Sequence, residues 1–236
     1  MIDVTFIFNG QKARSLGLEL QSPLSLSAAV PKISTATIPG RNGVLHYYDG
    51  SYENRDLSGE GFILSADVSK RIGIINSWLL GVKGYARLER DEDPDHFMMA
   101  RCKKGINSKI VKGLLTACDI SFDCKPQRFL KYGEREFDVT ESKKLLNPTF
   151  YDALPIITVE GEGNISISSG SWTLEFKGLS GSITYDAETL CAYNGNVNLN
   201  AKTSVTGDVI LSAGENIFSV SGTVTSIRII PRWWEI

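Results

Sequence analysis

From Asn147-Pro148 to the C-terminus, short alternating apolar runs recur at roughly 8–12-residue spacing, the pattern of an all-β sandwich or barrel. The runs fall at residues 156–159, 165–167, 172–176, 182–185, 205–211, 217–220 and 226–230. Ser, Thr, Asn and Gly separate them, and no helical period fits among them. Successive strand side chains point to opposite faces, so Trp172, Leu174 and Phe176 share one. That face is assigned to a core, since a tryptophan buries a large area.

The first half reads differently. Residues 4–8 alternate weakly and end at the turn pair Asn9-Gly10. Residues 16–20 alternate strictly and form a second expected strand, and residues 51–64 carry a third. Val68, Ile72, Ile75 and Leu79 make one apolar stripe at helical spacing, with Ser65 or Asp67 to cap its start and Gly81 to end it. Two strands, 84–88 and 97–102, flank the acidic turn Asp91-Glu92-Asp93-Pro94-Asp95, and another is expected over 114–124. Between these, residues 31–49 look extended and irregular, with Pro31, Pro39, Gly40 and Gly43. A stretch that long without a clear element is either functional or wrongly read.

The fold class is therefore mainly β: an α+β N-terminal domain with one main helix, then a β-sandwich. Residues 125–147 are charged and loosely patterned and serve as the connection, which divides the chain into 1–137 and 138–236.

Charge narrows the partners. The formal net charge is −2, with 19 basic and 17 acidic residues before Thr140 and 6 and 10 after it. Neither half has the basic excess of a nucleic-acid-binding face. The N-terminus lacks a basic head and a long apolar run, and the apolar stretches fall short of the ~20 residues that span a bilayer. Folding in a cytosol and no membrane insertion are expected. Cys102, Cys118, Cys124 and Cys191 form no C-x-x-C pair and are not spaced with His46 or His96 as a zinc site would be, so reduced, mostly buried thiols are expected.

Catalytic patterns are weak. The run Asp91–His96 matches neither the ligand spacing of a calcium loop nor a glycosidase pair, and a solvated turn is expected there. No G-x-S-x-G elbow is present, and any nucleophile–histidine site would have to use His46 or His96. Gly40-Arg41-Asn42-Gly43 lacks the spacing of a phosphate or dinucleotide loop and reads as a tight turn. No enzyme activity, cofactor or metal is expected.

One ordered set of segments resembles the distal tail proteins of siphophages. Ile38-Pro39-Gly40-Arg41-Asn42-Gly43-Val44-Leu45 is similar to that family's proline–glycine–arginine–aspartate–glycine segment, with Asn42 at the aspartate. Next come Trp78-Leu79-Leu80-Gly81, Gly84-Tyr85-Ala86-Arg87-Leu88, Phe97-Met98-Met99-Ala100-Arg101 and Ile120-Ser121-Phe122-Asp123-Cys124-Lys125-Pro126. In the second half, Asn147-Pro148-Thr149 and the stretch from Leu154-Pro155 to Gly163 resemble the lead into the C-terminal domain. Tyr185-Asp186-Ala187-Glu188, Ser212–Ile217 and Ile230-Pro231-Arg232-Trp233-Trp234 resemble its closing strands. The order of these segments along the chain carries the resemblance.

The resemblance implies a virion structural protein from a phage or prophage, assembled in the host cytoplasm and placed at the tail tip as part of the baseplate hub. Six copies would form a ring, closed partly by the 31–49 arm reaching a neighbour. Pro39, Gly40, Arg41, Asn42 and Gly43 would lie at subunit contacts, and Pro231, Arg232, Trp233 and Trp234 would form the C-terminal motif. A galectin-like C-terminal domain would point outward. The implied partners are the major tail tube protein, a tail-tip or tail-associated lysin protein and receptor-binding proteins, with DNA only in transit through the opening. The rival expectation is a carbohydrate-binding adhesion module, which rests on the sandwich composition and on Trp172, Trp233 and Trp234.

Overall fold

The computed structural model describes residues 5–21, 23–65, 67–106, 108–110 and 115–236. The chain forms two compact units that divide between Arg128 and Phe129. Residues 129–137 group with the second unit. The reason is local: Tyr132 and Phe137 pack on Trp233, with ring centroids 5.6 and 5.2 Å away.

The first unit contains strands β1 (Phe6–Phe8), β2 (Gln11–Lys12), β3 (Leu18–Leu20), β4 (Ser25–Leu26), β5 (Pro31–Ala36), β6 (Leu45–Tyr52) and β7 (Arg55–Leu64). Helix α1 (Val68–Leu80) follows, then β8 (Ala86–Arg90), β9 (Asp93–Cys102), β10 (Ser108–Ile110) and β11 (Leu115–Leu130), whose last two residues belong to the second unit. Among the described residues the main sheet runs β2-β1-β8-β9-β11-β7-β3, with β4 also paired to β7 and β10 to β11. Its inward face alternates as strands must: Phe6 and Phe8, Leu18 and Leu20, Leu57 and Ile63, Ile120, Phe122 and Cys124 are all buried. Gly61 lets β3 approach β7, since a Cβ there would lie 2.5 Å from the Glu19 carbonyl oxygen.

Helix α1 follows the apolar stripe. The Asp67 carboxylate accepts from the Lys70 N–H at 3.0 Å, and Ile75 and Leu79 are buried. Trp78 stacks on Phe6 at 5.8 Å and donates its indole N–H to the Phe8 carbonyl at 3.1 Å, which ties the helix to β1. The thiols behave as expected of buried cysteines. Burial pushes Cys118 up to about 11 and Cys124 up to about 12, so neither is a ready nucleophile. Two expected strands overlap undescribed residues: Val4 and Leu114 lie outside the described residues.

The second unit holds β12 (Phe137–Asp138), β13 (Lys144–Asn147), β14 (Ile156–Ser169), β15 (Trp172–Asp186), β16 (Cys191–Asn194) and β17 (Val197–Asn198). It closes with β18 (Thr203–Thr206), β19 (Gly214–Ile217), β20 (Ser219–Ile230) and β21 (Trp234–Glu235). One sheet runs β12-β20-β14-β15-β16-β17, with β18 on β15, and β13 pairs β19 in a separate ribbon. The sheets curl around one core as a β-sandwich. Trp172, Leu174 and Phe176 lie in it, and the Trp172 indole donates to the Ile210 carbonyl at 2.8 Å.

The expected short strands merge here. Runs 156–159 and 165–167 are both parts of β14, and 172–176 and 182–185 are both parts of β15. The register shifts between Gly163 and Ile165, where Gly163 has φ +83°. A glycine that reads as a turn in the sequence is a bulge that bends a continuous strand.

Candidate assembly surface

The segment expected to be irregular is a β-hairpin. Among the described residues, strands β5 and β6 pair only with each other, in the register Ile33 with Tyr48, Ser34 with Tyr47, Thr35 with His46 and Ala36 with Leu45. Every residue of 31–50 is exposed, and at the base of the hairpin the Glu53 N–H donates to the Val30 carbonyl at 2.8 Å. The sequence hides the strands because no home surface selects one face, so apolar and polar residues do not alternate.

Local chemistry shapes the tip. Arg41 N–H donates to the Ile38 carbonyl at 3.1 Å around Pro39-Gly40, and Gly40 has φ +79°. Proline followed by a positive-φ glycine is the preference of a type II turn. At the other end, Asp49 accepts from the Ser51 N–H and hydroxyl at 2.8 and 2.6 Å. The hydrogen bonds from Ser51 hold the Asp49 carboxyl below its ordinary range. Pro39, Gly40, Arg41, Asn42 and Gly43 are thus brought together at an exposed tip.

What the hairpin shows to solvent is apolar. Ile33, Leu45 and Tyr47 are 53, 51 and 67% exposed, and Ile38, Val44 and Tyr48 are 42, 50 and 46% exposed. Isolated exposed apolar residues are ordinary, but a contiguous set marks an interaction surface.

The C-terminal motif lies in opposite surroundings. Trp233 is buried among Tyr132 and Phe137. Arg232 grips both Asp186 carboxylate oxygens at 2.8 Å and reaches Glu188 at 3.2 Å. Burial works against the Asp186 charge, but the hydrogen bonds from Arg232 and from the Glu188 N–H outweigh it and hold the carboxyl below its ordinary range. Trp234 stacks on Tyr151 at 4.5 Å and donates to the Asp152 carbonyl. Pro231, Arg232, Trp233 and Trp234 therefore clasp their own unit, and neither Trp172 nor Trp233 offers a face to a sugar.

The acidic turn is more ordered than expected. Arg90 contacts Glu92 at 3.3 Å and Asp93 at 3.4 Å, while His96 Nδ1 lies 2.7 Å from Asp93. Burial opposes the Asp93 charge, and the hydrogen bond to His96 with the attraction of Arg128 and Arg90 outweighs it, lowering its pKa. The sequence could not show this, because Arg128 arrives from a different strand at 3.7 Å. Asp123 was missed likewise: it accepts from Asn54, Tyr85 and Arg101 at 2.9, 3.1 and 2.8 Å.

His46 lies on the hairpin and His96 in the ion-pair cluster. Among the described residues, no three His, Cys, Asp or Glu side chains are placed to hold a metal ion. Two depressions in the second unit, of about 270 and 380 Å³, are lined by a single carboxylate each, Glu215 and Asp208. No described helix is long and apolar enough to cross a membrane.

The second unit has its own outlier. Phe150 is 94% exposed. It sits on a turn fixed by buried Asn147, which donates to the Tyr151 and Leu211 carbonyls and accepts from the Thr149 N–H and hydroxyl. Leu146 and Ile217, on the outer face of the β13–β19 ribbon, are 63 and 54% exposed.

No family model matches the sequence, and no curated protein matches it. Among solved structures, the crystal structure of the SPP1 Dit (gp 19.1) protein is similar over 99% of both chains, with a TM-score of 0.73 and 14% identity. That protein is described as a paradigm of the hub adsorption apparatus in phages that infect Gram-positive bacteria. From its first described strand to its last, this chain has the fold of the SPP1 Dit protein.

Proposed function

We propose that this chain is a distal tail protein of a siphophage or prophage: a structural subunit of the tail-tip hub, with no catalytic role. Six copies form a ring that joins the tail tube protein to the tail-tip or tail-associated lysin protein and leaves an opening for DNA. The N-terminal unit builds the ring, and the hairpin of β5 and β6 reaches the neighbouring subunit. The observation that carries this reading is the hairpin itself, in a chain whose fold matches a tail-hub protein along its full length. A two-stranded ribbon is marginal alone in water, and this one exposes Ile33, Leu45 and Tyr47. Contacts with another chain would supply what the fold at home does not.

The second unit then acts as a galectin-like docking and spacing module, with Phe150 as a preorganised aromatic anchor for a receptor-binding protein or another tip component. A fold does not carry sugar binding with it; Trp172 and Trp233 are buried, and Trp234 already stacks on Tyr151. Light scattering on the purified chain tests the ring: about six copies per particle is expected, and a monomer at all concentrations would overturn the proposal.

A further inference from the structure

Resting on the reading of the second unit as a docking module, we infer that its depression at Tyr185 and Asp208 is a pocket for one arginine side chain of the protein that docks there. The depression measures about 380 Å³, and Asp208 is the one charged side chain in its lining. Tyr185, near the end of β15, is 2% exposed, yet it forms part of the wall. Among the described residues the Tyr185 hydroxyl makes no hydrogen bond and the Asp208 carboxylate no ion pair. Burial first, and then nearby groups that include Asp208, pushes the Tyr185 phenol up, so the hydroxyl stays protonated beside a carboxylate it does not bond. Polar groups of buried side chains are hydrogen-bonded as a rule, and one that is not calls for a partner from outside the fold.

The two depressions of this unit differ in charge. Glu215 in the smaller one is already paired with Lys144 at 3.2 Å. Among the described residues no base comes to Asp208: Arg228 pairs with Glu136 and Glu160, Arg232 pairs with Asp186 and Glu188, and Lys202 donates to the Gly178 carbonyl at 3.4 Å. After Thr140 the chain carries 10 acidic residues against 6 basic ones, so a cation is the group drawn here. The lining then selects arginine. The carboxylate offers two oxygens to a planar guanidinium fork. The Tyr185 oxygen is a further acceptor, and so is that of Thr203, whose hydroxyl donates its own proton to the Leu199 carbonyl at 3.2 Å. Leu190 and Val205, 70 and 39% exposed, supply an apolar wall for the methylene stem. Gly207 fixes the turn that carries Asp208: its φ is +74°, and a Cβ there would lie 2.6 Å from the Ser171 carbonyl oxygen. The pocket is thus formed before a partner arrives, which lowers the cost of binding.

Saturation-transfer NMR on the full chain tests the pocket, with Nα-acetyl-arginine amide as the probe and the citrulline amide as its neutral isostere. The arginine amide should bind and the citrulline amide should bind at least tenfold more weakly. Asp208→Asn should abolish that preference, and Tyr185→Phe should weaken the arginine amide several-fold, both at the parent's thermal midpoint. Glu215→Gln, in the other depression, should change nothing. Equal binding of the two amides, or arginine binding that survives Asp208→Asn, overturns the inference. So does no binding of either, which leaves the depression to water, or displacement of the arginine amide by methyl glucoside, which makes it a saccharide site. The docking role is read separately, by assembling the Asp208→Asn chain into tail tips. A variant that has lost the amide yet recruits every tip component overturns the inference as well, while leaving the ring reading untouched.

Discussion

The 38–45 and 230–234 segments carry similar residues and end in opposite surroundings. Each combines proline, arginine and large apolar side chains. The first is an exposed hairpin tip in which Arg41 lies in solvent, while the second folds Arg232 onto Asp186 and buries Trp233. The difference lies in what meets each segment from elsewhere in the chain. Gly133 comes close enough to Trp233 for its carbonyl to accept the Arg232 N–H at 2.9 Å, and Tyr132 and Phe137 close the space. Nothing described in the chain comes to the tip. A motif match thus says which residues matter without saying whether they matter to folding or to association.

The sharpest separation should come from Trp233→Ala. A fully buried aromatic truncated to alanine costs about 3–5 kcal/mol, and the loss should appear in chemical denaturation as an unfolded or partly unfolded second unit. Trp233→Phe should cost much less, because the indole N–H it removes is buried without a partner among the described residues. Equal losses in the two variants would show that the packing around Trp233 is not what holds the clasp.

Next comes Asp186. Its carboxyl is held below its ordinary range in the folded chain, so its contribution is complete above the unfolded value of about 3.9 and is lost as pH falls through the folded one. Asp186→Asn should lose about 2–3 kcal/mol at neutral pH, somewhat less than a fully buried pair because both partners keep some exposure. Below about pH 4 the parent should converge toward the variant. Parallel stability curves across pH 2–6 would remove Asp186 from the clasp.

Gly133→Ala should follow at about 1–3 kcal/mol, the usual cost of overpacking. Its Cβ would meet the Trp233 backbone nitrogen at 2.7 Å, and backbone cannot rotate away. A variant as stable as the parent would mean that the loop and the tryptophan separate readily.

Legibility followed the range of the forces involved. Helix α1 was readable because its stripe and its Asp67 cap are local. The alternating core faces were readable too, and Trp172 fell where its run put it. Strand lengths were not, since Gly163 marks a bulge in β14 with the same residue that marks a turn. The hairpin was not readable as strands because neither face is selected by a core. The Asp123 network and the Arg90–Asp93–His96 cluster depend on partners from other strands, which no local pattern announces. The tip residues Pro39–Gly43 were legible as a turn and as a family-like segment, while Phe150 gave no signal beyond lying after Asn147-Pro148-Thr149.

The smallest effect on folding should belong to Arg41, and it tests the comparison from the other side. Arg41 is exposed at the tip, and its backbone N–H rather than its side chain closes the turn. Replacing an exposed side chain away from any cap or core changes stability by less than about 0.5 kcal/mol. Guanidinium groups suit fork-like contacts to carboxylates and carbonyls at subunit boundaries, so Arg41→Ala should weaken assembly while leaving the thermal midpoint of the dilute chain in place. Differential scanning fluorimetry at low concentration and sedimentation at high concentration read the two effects separately. Loss in both would make Arg41 a folding residue like Arg232, and the contrast between the two segments would fail. Loss in neither would leave the tip as a solvated turn and move the arm's contacts to Ile33, Leu45, Tyr47 and Tyr48.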